Sequence, residues 1–270
     1  MTFRYFPRKE DYMKKFLLAS VLSMLLSVTT TQMVDAEHHE DLEEYDAVRF
    51  QSSKKPTLPV DPTNPEIPVD PMNPDGSKPN PGTGGALSID FASSLDFGVN
   101  QISNKDEYYE AQAQKYFNDP SLITPNFVQV TDNRGTLTGW TLKVKETQQF
   151  HTEEDVQYKE LTGATLFFLK PELVSNSNSP NPTAYEVLGM VPNQESVITR
   201  AEFNQGAGTW ITRWGDLTDL SEKKEIIEGK EKTTTFTSAI QLFVPGSTPK
   251  DPVSYKTNLV WILSDLPTNK

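Results

Sequence analysis

The chain has 270 residues, no cysteine, and 25 basic against 37 acidic residues, a net charge of −12. Without cysteine there is neither a disulfide framework nor a thiolate metal site. The acidic balance excludes the basic patch that nucleic acid requires and opposes simple capture by anionic lipid or an anionic wall polymer.

Residues 1–36 contain a short apolar run, Phe16 to Val28, preceded by Lys14 and Lys15 and followed by Val34, Asp35 and Ala36. The run is too short to span a bilayer and has the layout of a secretory signal. Export with cleavage after Ala36 is expected, leaving no membrane span, and Met13 is an alternative initiator to Met1. Residues 37–55 are polar and acidic and are expected to be disordered. His38 and His39 lie there, but two ligands in a tail do not make a metal cage, so no metal or other cofactor is expected.

Residues 56–85 are the most regular stretch. Pro56, Pro59, Pro62, Pro65, Pro68, Pro71 and Pro74 fall at every third position, the period of a polyproline II helix. An extended, solvated rod is expected, reaching about 80 Å between Pro56 and Pro81 at roughly 3.1 Å per residue, with Gly82 to Gly85 as a joint. A spacer is the first reading, and a ligand for a proline-reading domain is the alternative.

Residues 86–270 change to short apolar runs broken by turn residues. Leu87, Ile89 and Phe91 alternate, as do Leu95, Phe97 and Val99, and both runs read as strands. Ser103 to Phe117 fits a capped helix or a strand, with strand preferred. Phe127, Gln129 and Thr131 lead through the turn Asp132-Asn133-Arg134-Gly135 into Trp140, Leu142 and Val144, which share a strand face. Further strands are expected around 163–170, 185–190, 209–214, 236–244 and 255–263. The last two are expected to pair as a hairpin. Residues 175–182 read as a loop, and 221–232 as a charged excursion with a turn or two of helix. The whole predicts an all-β, antiparallel sandwich or barrel-like domain with long loops.

Chemistry-bearing residues are sparse. His151 is the only histidine in 86–270 and sits among acidic residues, as a surface histidine does. No Gly-x-Ser-x-Gly elbow, phosphate-binding glycine loop or His-Glu-x-x-His helix is present. A pair of carboxylates could serve glycoside hydrolysis, yet nothing singles out a pair. Trp140, Trp210, Trp214 and Trp261 can stack on neutral glycans or peptides, although tryptophan in an alternating strand more often belongs to the core.

Asn258 to Pro267 (NLVWILSDLP) and Gly139 to Val144 (GWTLKV) resemble the two signature segments of the WxL surface-protein family of Gram-positive bacteria. Supporting matches follow in the family's order: LDFG at 95–98, TDNRG at 131–135, LTGATL at 161–166, GAGTW at 206–210 and VPGST at 244–248. Ile262 stands where the family often has threonine. The resemblance implies a C-terminal domain that attaches non-covalently to the cell wall by binding peptidoglycan, commonly alongside other surface proteins. It places the motif positions, and hence the candidate binding residues, at Trp140, Leu142, Trp261 and Leu263, and with the strand parity it puts the two Trp-x-Leu units on neighbouring strands facing one core. Leu266 to Lys270 lacks the glycine of a Leu-Pro-x-Thr-Gly sorting signal, in keeping with non-covalent attachment.

The expectation is therefore a secreted, wall-bound, non-catalytic protein. The alternatives are an interaction module or adhesin within a multi-component surface complex and, third, a wall-modifying hydrolase.

Overall fold

The computed structural model describes residues 48–52, 55–227 and 229–265. The expected signal peptide, its cleavage site and most of the acidic segment lie outside them. The described chain is all-β and antiparallel, arranged as several small sheets in a barrel-like assembly. Among the described residues no helix is long and apolar enough to cross a membrane.

The strands run in order: β1 (Val60–Asp61), β2 (Asn64–Pro68), β3 (Pro71–Met72), β4 (Leu87–Ala92), β5 (Glu107–Gln112), β6 (Gln114–Tyr116), β7 (Ile123–Thr124), β8 (Phe127–Asp132) and β9 (Trp140–Glu146). They continue with β10 (Thr165–Phe168), β11 (Pro171–Val174), β12 (Thr183–Ala184), β13 (Val187–Leu188), β14 (Glu195–Ala201), β15 (Gly208–Trp214), β16 (Leu220–Ile227), β17 (Lys230–Val244) and β18 (Leu259–Ser264).

Three sheets enclose the main core. The first has the order β11-β15-β8-β4 and the second β12-β14-β9-β18. In the third, β17 pairs with β16 along its first half, with β10 along its second half, and with β5 on its other side. Alternation sends one row of each strand inward: Val128, Val130, Trp210 and Trp214 from the first sheet, Trp140, Leu142 and Val144 from the second, and Leu166, Phe168, Ile240 and Leu242 from the third.

Several sequence expectations need correction. Leu95 to Val99 alternates like a strand but is not one. Asp96 Oδ1 accepts from the Gly98 amide at 2.7 Å and Gly98 has φ +74°, a side-chain-capped turn that leaves Leu95 and Phe97 packed on the core. Among the described residues of 221–232 there is no helix. They form the tip of the β16–β17 ribbon, turned at Gly229 (φ +74°), whose charges suit a two-stranded extension. Nor do the last two strands make a hairpin, because β18 pairs with β9 while β17 belongs to the third sheet. The strand β14 shows no clear period in sequence, because a bulge between Val197 and Thr199 breaks its alternation.

The proline segment is the largest departure. It does not project as a rod; it straps across the outer face of the first sheet. Val60 and Val69 pack with Phe91, Tyr116, Phe127 and Ile211 in a second, smaller core, and β3 pairs with β6. A run so rich in proline presents carbonyls but few amides, and the domain meets it largely with donors. Gln129 Nε2 donates to the Leu58 carbonyl at 3.1 Å, Arg213 Nη1 to that of Pro62 at 3.1 Å, the Phe117 amide to that of Asp70 at 2.8 Å, and Gln114 Nε2 to that of Met72 at 2.9 Å. Gln129 is fully buried in the middle of β8, and its Oε1 also accepts from the Val60 amide at 2.9 Å. Its Nε2 reaches Asp90, which Ser88 and Thr131 donate to as well. Burial raises the Asp90 carboxyl above its ordinary range against those three donors.

Gln129→Ala takes the Gln129 partner from the Leu58 carbonyl and the Val60 amide and removes one of the two donors to Asp90 Oδ2, which keeps Thr131. It is expected to cost about 2–3 kcal/mol in urea unfolding and to expose residues 57–72 to limited proteolysis. Unchanged stability together with unchanged cleavage would show the strap to be an ornament.

Candidate functional site

The two Trp-x-Leu units lie side by side. In the β9–β18 ladder Leu142 faces Leu263, Val144 faces Trp261, and Thr141 faces Ser264. Because cross-strand partners share a face, both units point into the main core.

Trp140 is held from several directions. The turn before it is clamped by Arg134, whose Nε and Nη2 grip the Asp132 carboxylate while Nη2 also donates to the Gly139 carbonyl at 2.8 Å. Gly139 has φ +81°, and a Cβ there would run into the Ala201 carbonyl. The indole Nε1 donates to the Gly206 carbonyl at 2.9 Å, and a Cβ on Gly206 would sit 2.7 Å from that same nitrogen. The next carbonyl, that of Ala207, accepts from Trp210 Nε1 at 3.0 Å. The GAGTW segment is thus a pair of acceptors for two buried indoles, which would otherwise carry the cost of unmet donors.

Trp140 is 1 % exposed and Leu142 is equally buried, so neither touches anything outside the fold. Trp261 and Leu263 are half-buried. The Trp261 ring lies 6.0 Å from that of Trp214, which lies 4.9 Å from that of Phe168. This aromatic line joins the second, first and third sheets. Trp261 also lines a cleft of about 1590 Å³ with Leu95, Phe97, Tyr109, Phe150 and Leu259. Asp96, Lys250 and Thr257 supply polar groups to the same cleft.

Glu146 continues the inward row of Trp140, Leu142 and Val144. It is wholly buried, and both carboxylate oxygens lack a hydrogen-bond partner among the described residues. The nearby Thr257 hydroxyl is spent on the Gln148 carbonyl at 2.6 Å. Burial pushes the carboxyl up to about 7, with Thr257 opposing weakly. Parity alone placed this charge in an apolar row, and that signal was readable beforehand.

His151 serves as a tie. Its backbone exchanges both hydrogen bonds with Lys256, and its ring meets Glu153 at 3.0 Å. That pairing fixes the segment leading into β18.

Taken together, the sequence motifs build turns, indole acceptors and strand pairs around an aromatic core, which defines an antiparallel all-β domain with structural signature residues. Comparison with protein families gives the particular one: residues 37–267 match the WxL domain surface cell wall-binding family, and the chain belongs to it. It is accordingly a surface protein that binds the cell wall. Comparison with curated proteins gives no match, and comparison with solved structures gives none either.

Trp140→Phe removes the indole donor from the Gly206 carbonyl and leaves a small void. A loss of about 2–3 kcal/mol is expected in urea unfolding.

Glu146 makes stability fall with pH. An ordinary carboxyl of this kind titrates near 4.5, whereas the folded one does so at about 7. Between those values the folded state holds a proton that the unfolded state releases, so stability declines as pH rises through this window and levels off above it, by at most about 3 kcal/mol. Melting curves from pH 4.5 to 8 should show a shallower decline for Glu146→Gln than for wild type; parallel curves would disprove the assignment.

Proposed function

We propose that this chain is exported to the surface of a Gram-positive cell and attaches non-covalently to the wall by binding peptidoglycan, without catalysis. Membership in a wall-binding family supports the destination. The cleft beside Trp261 carries the ligand reading: one side of the half-buried indole packs toward Trp214, and its remaining surface faces an apolar cleft with a polar rim. A sugar ring or a stem peptide can rest its carbon surface there while its hydroxyls or amides meet Asp96, Lys250 and Thr257. Trp140, Leu142 and Leu263 act from beneath, by fixing β9 and β18.

A separate observation favours a role in a surface complex as well. β18 is the edge strand of its sheet, and an extended segment of another surface protein can add to such an edge.

Purified protein is expected to sediment with protein-free peptidoglycan. Trp261→Ala should lower the bound fraction at least about fivefold, equivalent to about 1 kcal/mol, when assayed well below its melting temperature with circular dichroism confirming the fold. Wild type that stays in the supernatant refutes the peptidoglycan reading. Equal binding by the folded variant removes the cleft from it.

A further inference from the structure

The outer face of the third sheet carries an aromatic platform that none of the family motifs explains. In the β10–β13 ladder Phe167 faces Leu188; in β10–β17 it faces Gln241, and Thr165 faces Phe243; in β17–β5 Phe243 faces Tyr108 and Gln241 faces Glu110. Since Leu166, Phe168, Leu242 and Val244 are the inward residues of these strands, Phe167, Phe243 and Tyr108 point the other way. Their rings form one cluster, with Tyr108 4.9 Å from Phe243 and 6.0 Å from Phe167. Tyr108 is 57 % and Leu188 71 % exposed. Another aromatic of this sheet, Phe236, is buried with Lys223 Nζ 5.3 Å above its ring. Phe167 and Phe243 are half-buried and Tyr108 is the exposed ring of the three.

Charge narrows what can lie there. Glu110, the carboxylate bordering the platform, is paired with Lys223 at 2.8 Å, so the face is locally neutral, while the chain as a whole carries −12. A polyanion gains nothing from a neutral face on an acidic protein. A neutral pyranose chain fits: the C–H faces of its rings stack on aromatic faces, and its hydroxyls reach the Tyr108 hydroxyl and the Gln241 amide at the edge.

We infer that the Tyr108–Phe167–Phe243 platform is a second wall-contact site that stacks the neutral pyranose chain of the wall glycan. This rests on the wall-binding reading above but not on the Trp261 cleft, which lies on the other side of β5 and receives Tyr109 rather than Tyr108. One strand therefore lends neighbouring tyrosines to two surfaces.

The test uses the full chain, with Tyr108→Ala and Tyr108→Ala/Phe243→Thr as variants. The exposed tyrosine single variant keeps the fold even if the double one does not. The probes are protein-free peptidoglycan in sedimentation and a soluble β-1,4-linked N-acetylglucosamine hexamer in calorimetry. Tyr108→Ala is expected to weaken binding to both about tenfold, with an unchanged melting temperature. If wild type binds peptidoglycan and Tyr108→Ala binds within twofold of it, the platform is refuted while the wall reading survives. If wild type fails to bind peptidoglycan, the wall reading falls, and absence of hexamer binding then removes the platform too. Sedimentation velocity covers the remaining occupant: a wild-type dimer that Tyr108→Ala dissolves, without glycan binding, would make the face a contact between copies and overturn the inference.

Discussion

The line of rings from Phe168 through Trp214 to Trp261 is the contact on which the rest of the fold depends. Each of the three main sheets is small, and a sheet of a few short strands is stable only when its apolar face is covered. Here each covers the others, and one large ring from each sheet meets near the centre. Trp261 is the member contributed by the edge strand, so its packing holds β18 against β9 and brings Leu263 opposite Leu142. Trp140 secures the other end of the same strand pair by bonding to the Gly206 carbonyl. The signature residues are therefore architectural: they keep the surfaces beside them in place.

The strap extends that principle to the outside of the first sheet. Phe91, Phe127 and Ile211 would present an apolar face to water if Val60 and Val69 did not cover it. Proline every third residue narrows the backbone conformations open to the covering segment before it docks, which lowers the entropy lost on docking; docked, it doubles back, with β1 antiparallel to β2. Its carbonyls then satisfy side chains that would be costly to bury unpaired, Gln129 above all. The family match begins upstream of this segment, at residue 37, so the strap belongs to the region that family membership covers.

What the sequence made legible was local. Alternation identified the inward rows of β9 and β18, and the parity that grouped Trp140 with Leu142 and Trp261 with Leu263 agrees with the ladder. In β4 a bulge turns Phe91 away from Ile89, and in β8 the row of Phe127 and Gln129 faces the strap while Val128 and Val130 face the main core. The neighbourhood of β9 and β18 followed from their paired signature although more than a hundred residues separate them, whereas the pairing of β18 with β9 alone, and not with β17, was not accessible from composition. The proline period predicted a continuous extended rod, whereas the chain doubles back between β1 and β2 and docks through Gln129 and Arg213, far along the chain. Leu95, Phe97 and Val99 had a strand's alternation, yet the short-range bond from Asp96 to the Gly98 amide won. Nothing in the sequence singles out Phe167 or Tyr108, because Phe167 and Phe168, like Tyr108 and Tyr109, are adjacent pairs, and a pair of neighbours shows no period from which to tell the outer member.

Those adjacent pairs make the register of β5 against β17 decisive for the surfaces as well as the core. The ladder between them jumps from Thr237 to Gln241 across a bulge, and beyond it Tyr109 faces Leu242 while Tyr108 faces Phe243. A slip of one residue would exchange the two faces: Tyr109 would leave the cleft and Tyr108 would enter the core side. Burial of Ala111 beneath β17 and the bond from the Gly246 amide to Asp106 at 2.8 Å resist that slip from both ends of β5. A position where a single residue of register separates a cleft lining from an exposed platform is one where the fold, more than any individual side chain, determines which chemistry each surface offers to the wall.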